Sequence, residues 1–122
     1  MTYGVFIVPA AKRRIREQAE YIATVQGTPE IAARWLARIY DKIDGLAKMP
    51  RRYGLAVEDA WCDQEVRRIP SGQFVLFFTI VDEARAVWVI HAKHGKQPIE
   101  PDAFPVDLAA LEKEEQDEEG DG

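Results

Sequence analysis

Five cationic or titratable residues in the second half of the chain are the best suited to bind an anionic group. Arg67 and Arg68 are adjacent, and a guanidinium binds a phosphate or carboxylate through two parallel hydrogen bonds. His94 lies near Lys93 and Lys96, and an imidazole titrates near neutral pH, so it can act as an acid or a base. These five residues form the predicted binding site.

The two arginines cannot both serve that site if they lie in a strand. Neighbouring residues of a strand point to opposite faces, so only Arg67 or Arg68 can face an outer binding surface. The alternative interpretation is an arginine at the sheet edge that pairs with Glu65 or Asp63.

The two histidines are separated by the same alternation. His91 shares a strand face with Lys93, whereas His94 shares the opposite face with Ala92. No cysteine or acid stands at ligand spacing beside either histidine, so we expect no metal site. His91 is expected to be a buried, hydrogen-bonded structural residue. A Gly-rich phosphate loop is also absent from the sequence, and we expect no cofactor.

Other reactive or charged residues have simpler interpretations. Cys62 is the only cysteine, so it forms no internal disulfide, and it is expected to behave as a small apolar residue. The sequence shows no secretion signal and no apolar run long enough for a bilayer, which together predict a cytoplasmic protein without membrane contact. A basic run near the start is expected to be either a nucleic-acid face or a solvated helix face: Lys12, Arg13, Arg14 and Arg16.

The net charge of −5 combines two segments of opposite sign. Residues 1–97 hold 15 Lys and Arg against 11 Asp and Glu, whereas residues 98–122 hold Lys113 against 10 acids. A chain of 122 residues suits one domain. We therefore predict a folded domain over 1–97 and an acidic tail over 98–122, in which Leu108 and Leu111 precede the densest acidic run.

The spacing of apolar residues predicts the helices and strands that position the candidate residues. Tyr3 to Val8 predicts a strand, and Ala11 to Thr24 an amphipathic helix. Thr28 supplies a capping hydroxyl before Pro29, where a second helix begins and continues to Met49. Residues 51–63 have no clear period and are either a loop or an irregular edge strand.

Three strands are predicted after that segment. They cover Glu65 to Ile69, Gln73 to Val81 and Ala86 to Ala92, with turns at 70–72 and 82–85. The order is βααβββ, an α+β fold in which a helical hairpin packs on a small antiparallel sheet. The residues expected to form the core are Trp35, Leu36, Ile39, Ile43, Phe74, Leu76, Phe78 and Val89.

Several segments together resemble one family. The first strand with Pro9-Ala10-Ala11, the residues 21–32 and the residues 46–50 are similar to the first strand and helical hairpin of ParE-like toxins, members of the RelE/ParE superfamily. Val66-Arg67-Arg68-Ile69, Gly72 and residues 74–78 resemble the family's arginine strand and central strand. His94-Gly95-Lys96 resembles its last-strand ending, with fewer cations than the Arg-Arg often found there, and the acidic tail is an addition.

The resemblance implies the toxin of a type II toxin–antitoxin module, of the kind also called plasmid stabilisation proteins. Its implied action is non-enzymatic inhibition of DNA gyrase or a related topoisomerase, and its implied partner is a co-encoded antitoxin that forms a hetero-oligomer with it. One alternative is a RelE-like, metal-independent endoribonuclease that cuts messenger RNA on the ribosome, with Arg67, Arg68 and His94 as candidate catalytic residues. Another is a member whose toxicity has decayed.

Acidic residues favour the first of these implications. Ribosome-dependent ribonucleases of the superfamily tend to be basic in the region of the second strand. This chain instead carries acids there: Glu58, Asp59, Asp63 and Glu65. Negative charge opposes docking to ribosomal RNA, so inhibition of a topoisomerase is the preferred expectation.

Overall fold

A hairpin of two helices follows the first strand. The computed structural model describes residues 2–56 and 65–95 of the protein. Strand β1 covers Gly4–Ile7, helix α1 Pro9–Thr24 and helix α2 Pro29–Gly45. Each helix has a proline in its first turn, where the missing N–H costs no hydrogen bond. The predicted helical periodicity is confirmed, with Ile15 of α1 and Ile39 of α2 fully buried.

Helix α2 begins at Pro29 as predicted, but its capping bond and its end differ from the prediction. Thr28 is the N-cap residue, but its hydroxyl makes no capping bond and instead donates to the carbonyl oxygen of Ile22, at 3.2 Å. The hydroxyl therefore ties the inter-helix turn to α1. The helix ends at Gly45 rather than near Met49, because Leu46 N–H bonds to the carbonyl of Ile43 and tightens the last turn.

The three later strands form an antiparallel sheet as predicted. They are β2 Val66–Ser71, β3 Phe74–Val81 and β4 Ala86–His94. The first of them extends beyond its predicted end, because Pro70 stays in the ladder opposite Val75 and the turn contains only Gly72 and Gln73. Gly72 has φ +62°, a left-handed conformation that suits glycine.

The first strand makes the sheet mixed rather than purely antiparallel. The strand order is β1-β4-β3-β2, and β1 pairs parallel to β4, with Gly4 opposite Ala86 and Ile7 opposite Val89. The βααβββ order and the α+β class are confirmed. Because the helical hairpin separates β1 from β2, the first strand can join the far edge beside the last one.

The core lies between the helical hairpin and one face of the sheet. Trp35 of α2 packs edge-on against Phe74 of β3, with ring centroids 5.4 Å apart. Alternation then places Leu76 and Phe78 on this helix-facing side. Seven of the eight residues predicted for the core are buried, whereas Leu36 is half-buried. Within the described ranges, no helix is long and apolar enough to span a bilayer.

Candidate functional site

Arg67 is held by groups of the protein itself. Its Nε lies 3.1 Å from Oε2 of Glu65, and its Nη2 lies 3.3 Å from Oε1 of the same carboxylate. Its Nη1 donates to the carbonyl oxygen of Tyr53 at 2.6 Å. The side chain is 15% exposed. The Arg67 guanidinium is therefore paired with Glu65. This pairing is the alternative interpretation from the sequence, in which the arginine has a structural rather than a binding role.

A chain of charged contacts extends this pairing across one end of the sheet. Arg51 lies 3.3 Å from Glu65 and also binds Asp82, with Nη2 2.7 Å from Oδ2. The hydroxyl of Tyr3 donates to Asp82 at 2.8 Å. The Arg51 guanidinium lowers the pKa of the Asp82 carboxyl, and the Tyr3 hydroxyl lowers it further. These contacts connect the residue before β1, the segment after α2, the residue before β2 and the β3–β4 turn.

Arg68 faces the other side of the sheet and is exposed. It pairs with Phe77, whereas Arg67 pairs with Phe78, and directly paired residues share a face. Phe78 lies on the helix-facing side, so Arg68 projects from the opposite side. Of the two adjacent arginines, Arg68 is the one whose guanidinium is accessible to a partner.

The two histidines also lie on opposite faces. His94 pairs with Phe74 on the helix-facing side, and His91 pairs with Phe77 on the other side, where their rings lie 6.1 Å apart. One extra residue, Ile90, enters β4 at this point, because Phe77 pairs with His91 and Phe78 with Val89. Burial lowers the pKa of His91 to about 4, and the positive charges of Arg14 and Lys93 add to the effect. His91 is therefore neutral at physiological pH.

The nuclease candidates lie apart in the sheet. Arg67 and His94 are separated by four residues along the strand and by two strand spacings, roughly 16 Å between Cα atoms. Arg68 is nearly as far away and lies on the opposite face. The three candidate side chains are therefore spread over both faces of the sheet.

A basic cleft lies where the helical hairpin meets the β2–β3 turn. It has two adjoining lobes of about 380 and 560 Å³, which share Gln18, Tyr21, Phe74 and His94. Its described lining includes four cationic side chains and one acid, which are Arg14, Arg38, Lys42, Lys93 and Glu17. Tyr21, which is 48% exposed, gives it an aromatic surface beside the buried ring of Phe74. The cleft is suited to an anionic segment that also carries apolar side chains.

Sequence reasoning found only part of this cleft. Lys93 and His94 belong to the predicted binding set, but Arg38 and Lys42 were not singled out. The basic residues of the first helix point in different directions around its axis. Arg14 lines the cleft, whereas Arg16 lines a separate groove. Arg38 and Lys42 are four residues apart, so they share one face of α2. This spacing in the sequence could have indicated a second basic helix face.

The glycine after His94 has a steric role beside the cleft. Gly95 N–H bonds to the carbonyl oxygen of Gln73, and a Cβ on Gly95 would lie 3.0 Å from that oxygen. Such a distance is tighter than ordinary contacts, so a side chain here would displace the β2–β3 turn. The His94-Gly95 pair therefore fixes the end of β4 against the turn that borders the cleft.

A second groove lies between the helices on their outer side. It has a volume of about 430 Å³ and is lined mainly by alanines, with Leu36 and Tyr40. Lys12 and Arg16 border it, together with Glu20. Leu36 is half-buried because its side chain faces this groove rather than the sheet.

Some predictions fall outside the described residues. They concern Lys96, Cys62, the acids Glu58, Asp59 and Asp63, and the tail 98–122. Over residues 2–56 and 65–95, no three His, Cys, Asp or Glu side chains gather as metal ligands.

Comparison with known proteins gives one family and one fold. Residues 5–99 match the model of the ParE toxin of the type II toxin–antitoxin system parDE. A search of curated proteins finds no match. Among solved structures, the RelBE2 toxin–antitoxin complex of Mycobacterium tuberculosis is similar with a TM-score of 0.54 and 23% identity, covering 77% of this chain and 99% of that one.

Two further solved structures share the fold. The archaeal RelE–RelB complex of Pyrococcus horikoshii aligns with a TM-score of 0.53 and 14% identity, over 80% of this chain and 100% of that one. A double mutant of the Escherichia coli toxin RelE in the free state aligns with a TM-score of 0.51 and 15% identity, over 79% and 86%.

The fold, two helices on a four-stranded sheet, is that of RelE/ParE superfamily toxins. Since the family model spans most of the described domain, the chain belongs to the ParE toxin family of type II toxin–antitoxin systems.

Proposed function

We propose that this protein inhibits DNA gyrase or a related topoisomerase by binding it, and that a co-encoded antitoxin neutralises the protein. The observation that carries the non-enzymatic part is the separation of Arg67, Arg68 and His94. The three side chains are spread over both faces of the sheet, and Arg67 is occupied by Glu65 and the Tyr53 carbonyl. The match to the ParE family supports the topoisomerase as the target class.

Arg68 is the proposed centre of the surface that contacts the target. It is exposed on the sheet face opposite the helices. An exposed guanidinium suits an acidic group on the surface of a protein partner. Arg67 has a structural role instead, because its hydrogen bond to the Tyr53 carbonyl holds β2 to the segment around Tyr53.

Two observations support an antitoxin as the partner of this protein: the family to which the chain belongs, and the complexes in which similar folds occur. The mycobacterial and archaeal structures are both toxin–antitoxin complexes. The groove between the helices has the apolar lining that an amphipathic helix of such a partner would bury. Co-purification with the product of the neighbouring gene would support this part of the proposal, and the absence of any complex at micromolar concentration would contradict it.

The test of the target is induced expression of the full chain with two readouts. Inhibition of gyrase predicts that DNA replication stops and that a DNA-damage response begins, while messenger RNA stays intact. The ribonuclease alternative predicts codon-phased cuts in translated messages, detected by primer extension, without a DNA-damage response. A chain that gives neither response while folded and expressed would have lost its toxicity.

A further inference from the structure

We propose that the acidic tail of this chain, residues 98–122, binds in the basic cleft beside the end of β4. The cleft is lined by Arg14, Arg38, Lys42 and Lys93, with Glu17 as the acid among the described lining residues. The tail carries 10 acids against Lys113. Opposite charges of this size on one chain attract each other at short range. This proposal concerns the free protein and does not depend on whether the target is gyrase.

The last strand ends at the border of the cleft. Lys93 and His94 line the cleft, and Gly95 is bonded to Gln73 of the turn at its border. The chain then continues toward the tail from this border. Residues 96–107 can span up to about 40 Å when extended, so the acids beyond Glu112 can return to any part of the cleft.

The tail also matches the apolar surface of the cleft. Leu108 and Leu111 stand three residues apart in sequence, a spacing at which a helix places two side chains on one face, and they are followed by the acidic run. The exposed ring of Tyr21 supplies aromatic surface between the cationic side chains, above the largely buried rings of Phe74 and Trp35. Exposed ion pairs alone contribute little and are screened at physiological salt. Packing of the leucines on the aromatic rings is therefore needed to hold the tail.

The structure selects this cleft over the arginine strand as the place for the tail. Arg67 already binds the Glu65 carboxylate, and Arg68 projects from the face opposite the helices. The four cations of the cleft lie on three elements that face one cavity, which allows one acidic segment to contact several of them. An occupied cleft would make the tail a competitor of any acidic partner segment that uses the same cations.

Carbodiimide cross-linking of the purified full chain tests the proposal. The reagent joins a lysine amine to a carboxylate with which it is in contact, and digestion with mass spectrometry identifies the pair. We expect Lys42 and Lys93 to join to tail carboxylates. Lys48 is the internal control, because Ala47 beside it bonds to Tyr3 at the opposite end of the sheet.

Charge reversal on α1 provides a matched pair of variants. Arg14 and Arg16 are both exposed, but Arg14 lines the cleft and Arg16 the outer groove. Arg14→Glu should lower the Lys42 and Lys93 cross-links to the tail about threefold to tenfold, since it removes one attraction and adds one repulsion. Arg16→Glu should leave them unchanged. Replacing Leu108 and Leu111 by Ser should lower them as Arg14→Glu does, as should added salt.

The outcomes separate the possible occupants. Cross-links that respond to Arg14→Glu and occur within one copy support the proposal. In a mixture of ¹⁵N-labelled and unlabelled chains, cross-links between labelled and unlabelled copies would assign the cleft to the tail of a second copy and overturn it. Tail cross-links that are equally frequent at Lys48, or that ignore Arg14→Glu in a variant with normal thermal unfolding, would show an unbound tail and also overturn it.

Discussion

Arg67 binds both carboxylate oxygens of Glu65, with Nε 3.1 Å from Oε2 and Nη2 3.3 Å from Oε1. Arg68, the next residue, is exposed on the opposite side of the sheet. One arginine of this pair therefore stabilises the fold, and the other remains accessible to a partner.

Alanine substitutions should separate these two roles. Arg67→Ala leaves the Tyr53 carbonyl without this donor and leaves Glu65 paired with Arg51, and we expect it to lower the free energy of unfolding by about 1–3 kcal/mol. Arg68→Ala should change stability by less than about 0.5 kcal/mol but weaken binding to the target. Chemical denaturation and a binding measurement on both variants check this. Equal losses of stability would contradict the assignment.

His91 should make the protein less stable in mild acid. Its folded-state pKa is about 4 and its usual value is 6.5, so between these values the unfolded chain binds a proton that the folded protein does not. Stability therefore falls as the pH is lowered from 6.5 toward 4, by at most about 1.4 kcal/mol per unit from this residue.

His91→Phe removes that titration while keeping a ring beside Phe77. The difference in unfolding free energy between the original chain and the variant should therefore change with pH across this window and be constant above pH 7. Denaturation curves at several pH values measure it. A difference that does not vary with pH would show that His91 is readily protonated in the folded protein.

Trp88 offers a test of a buried donor. Its side chain is 4% exposed, its Nε1 finds no acceptor among the described residues, and its ring stacks on Phe6 at 4.7 Å. An unpaired buried N–H costs free energy, so Trp88→Phe should lose less than about 1.5 kcal/mol, whereas Trp88→Ala should lose about 3–5 kcal/mol. Thermal or denaturant unfolding distinguishes them. A loss with Phe as large as that with Ala would show that Nε1 is bonded in solution.

The sequence was sufficient for the features that depend on local periodicity. The apolar stripe of α2 and the apolar run of β3 predicted those elements, and alternation predicted that His91 and His94 lie on opposite faces. Thr28 was wrongly assigned a capping bond, because its hydroxyl has an acceptor in α1 that only the turn geometry brings near.

The sequence did not predict which segments distant along the chain lie side by side in the folded domain. The parallel pairing of β1 with β4 depends on where the helical hairpin returns the chain. The basic cleft combines Arg14, Arg38 and Lys93, which are distant in sequence and meet only in the folded domain. Pairing of Arg67 with Glu65 was one of two open alternatives, and choosing between them required the position of Tyr53.

The most direct test of the proposed function is a supercoiling assay with purified gyrase, relaxed plasmid DNA and ATP. We predict that the full chain inhibits supercoiling, that Arg68→Ala inhibits it less at the same concentration, and that the antitoxin restores it. Uninhibited supercoiling at a large molar excess of folded protein, together with cleavage of messenger RNA on purified ribosomes, would contradict the proposal.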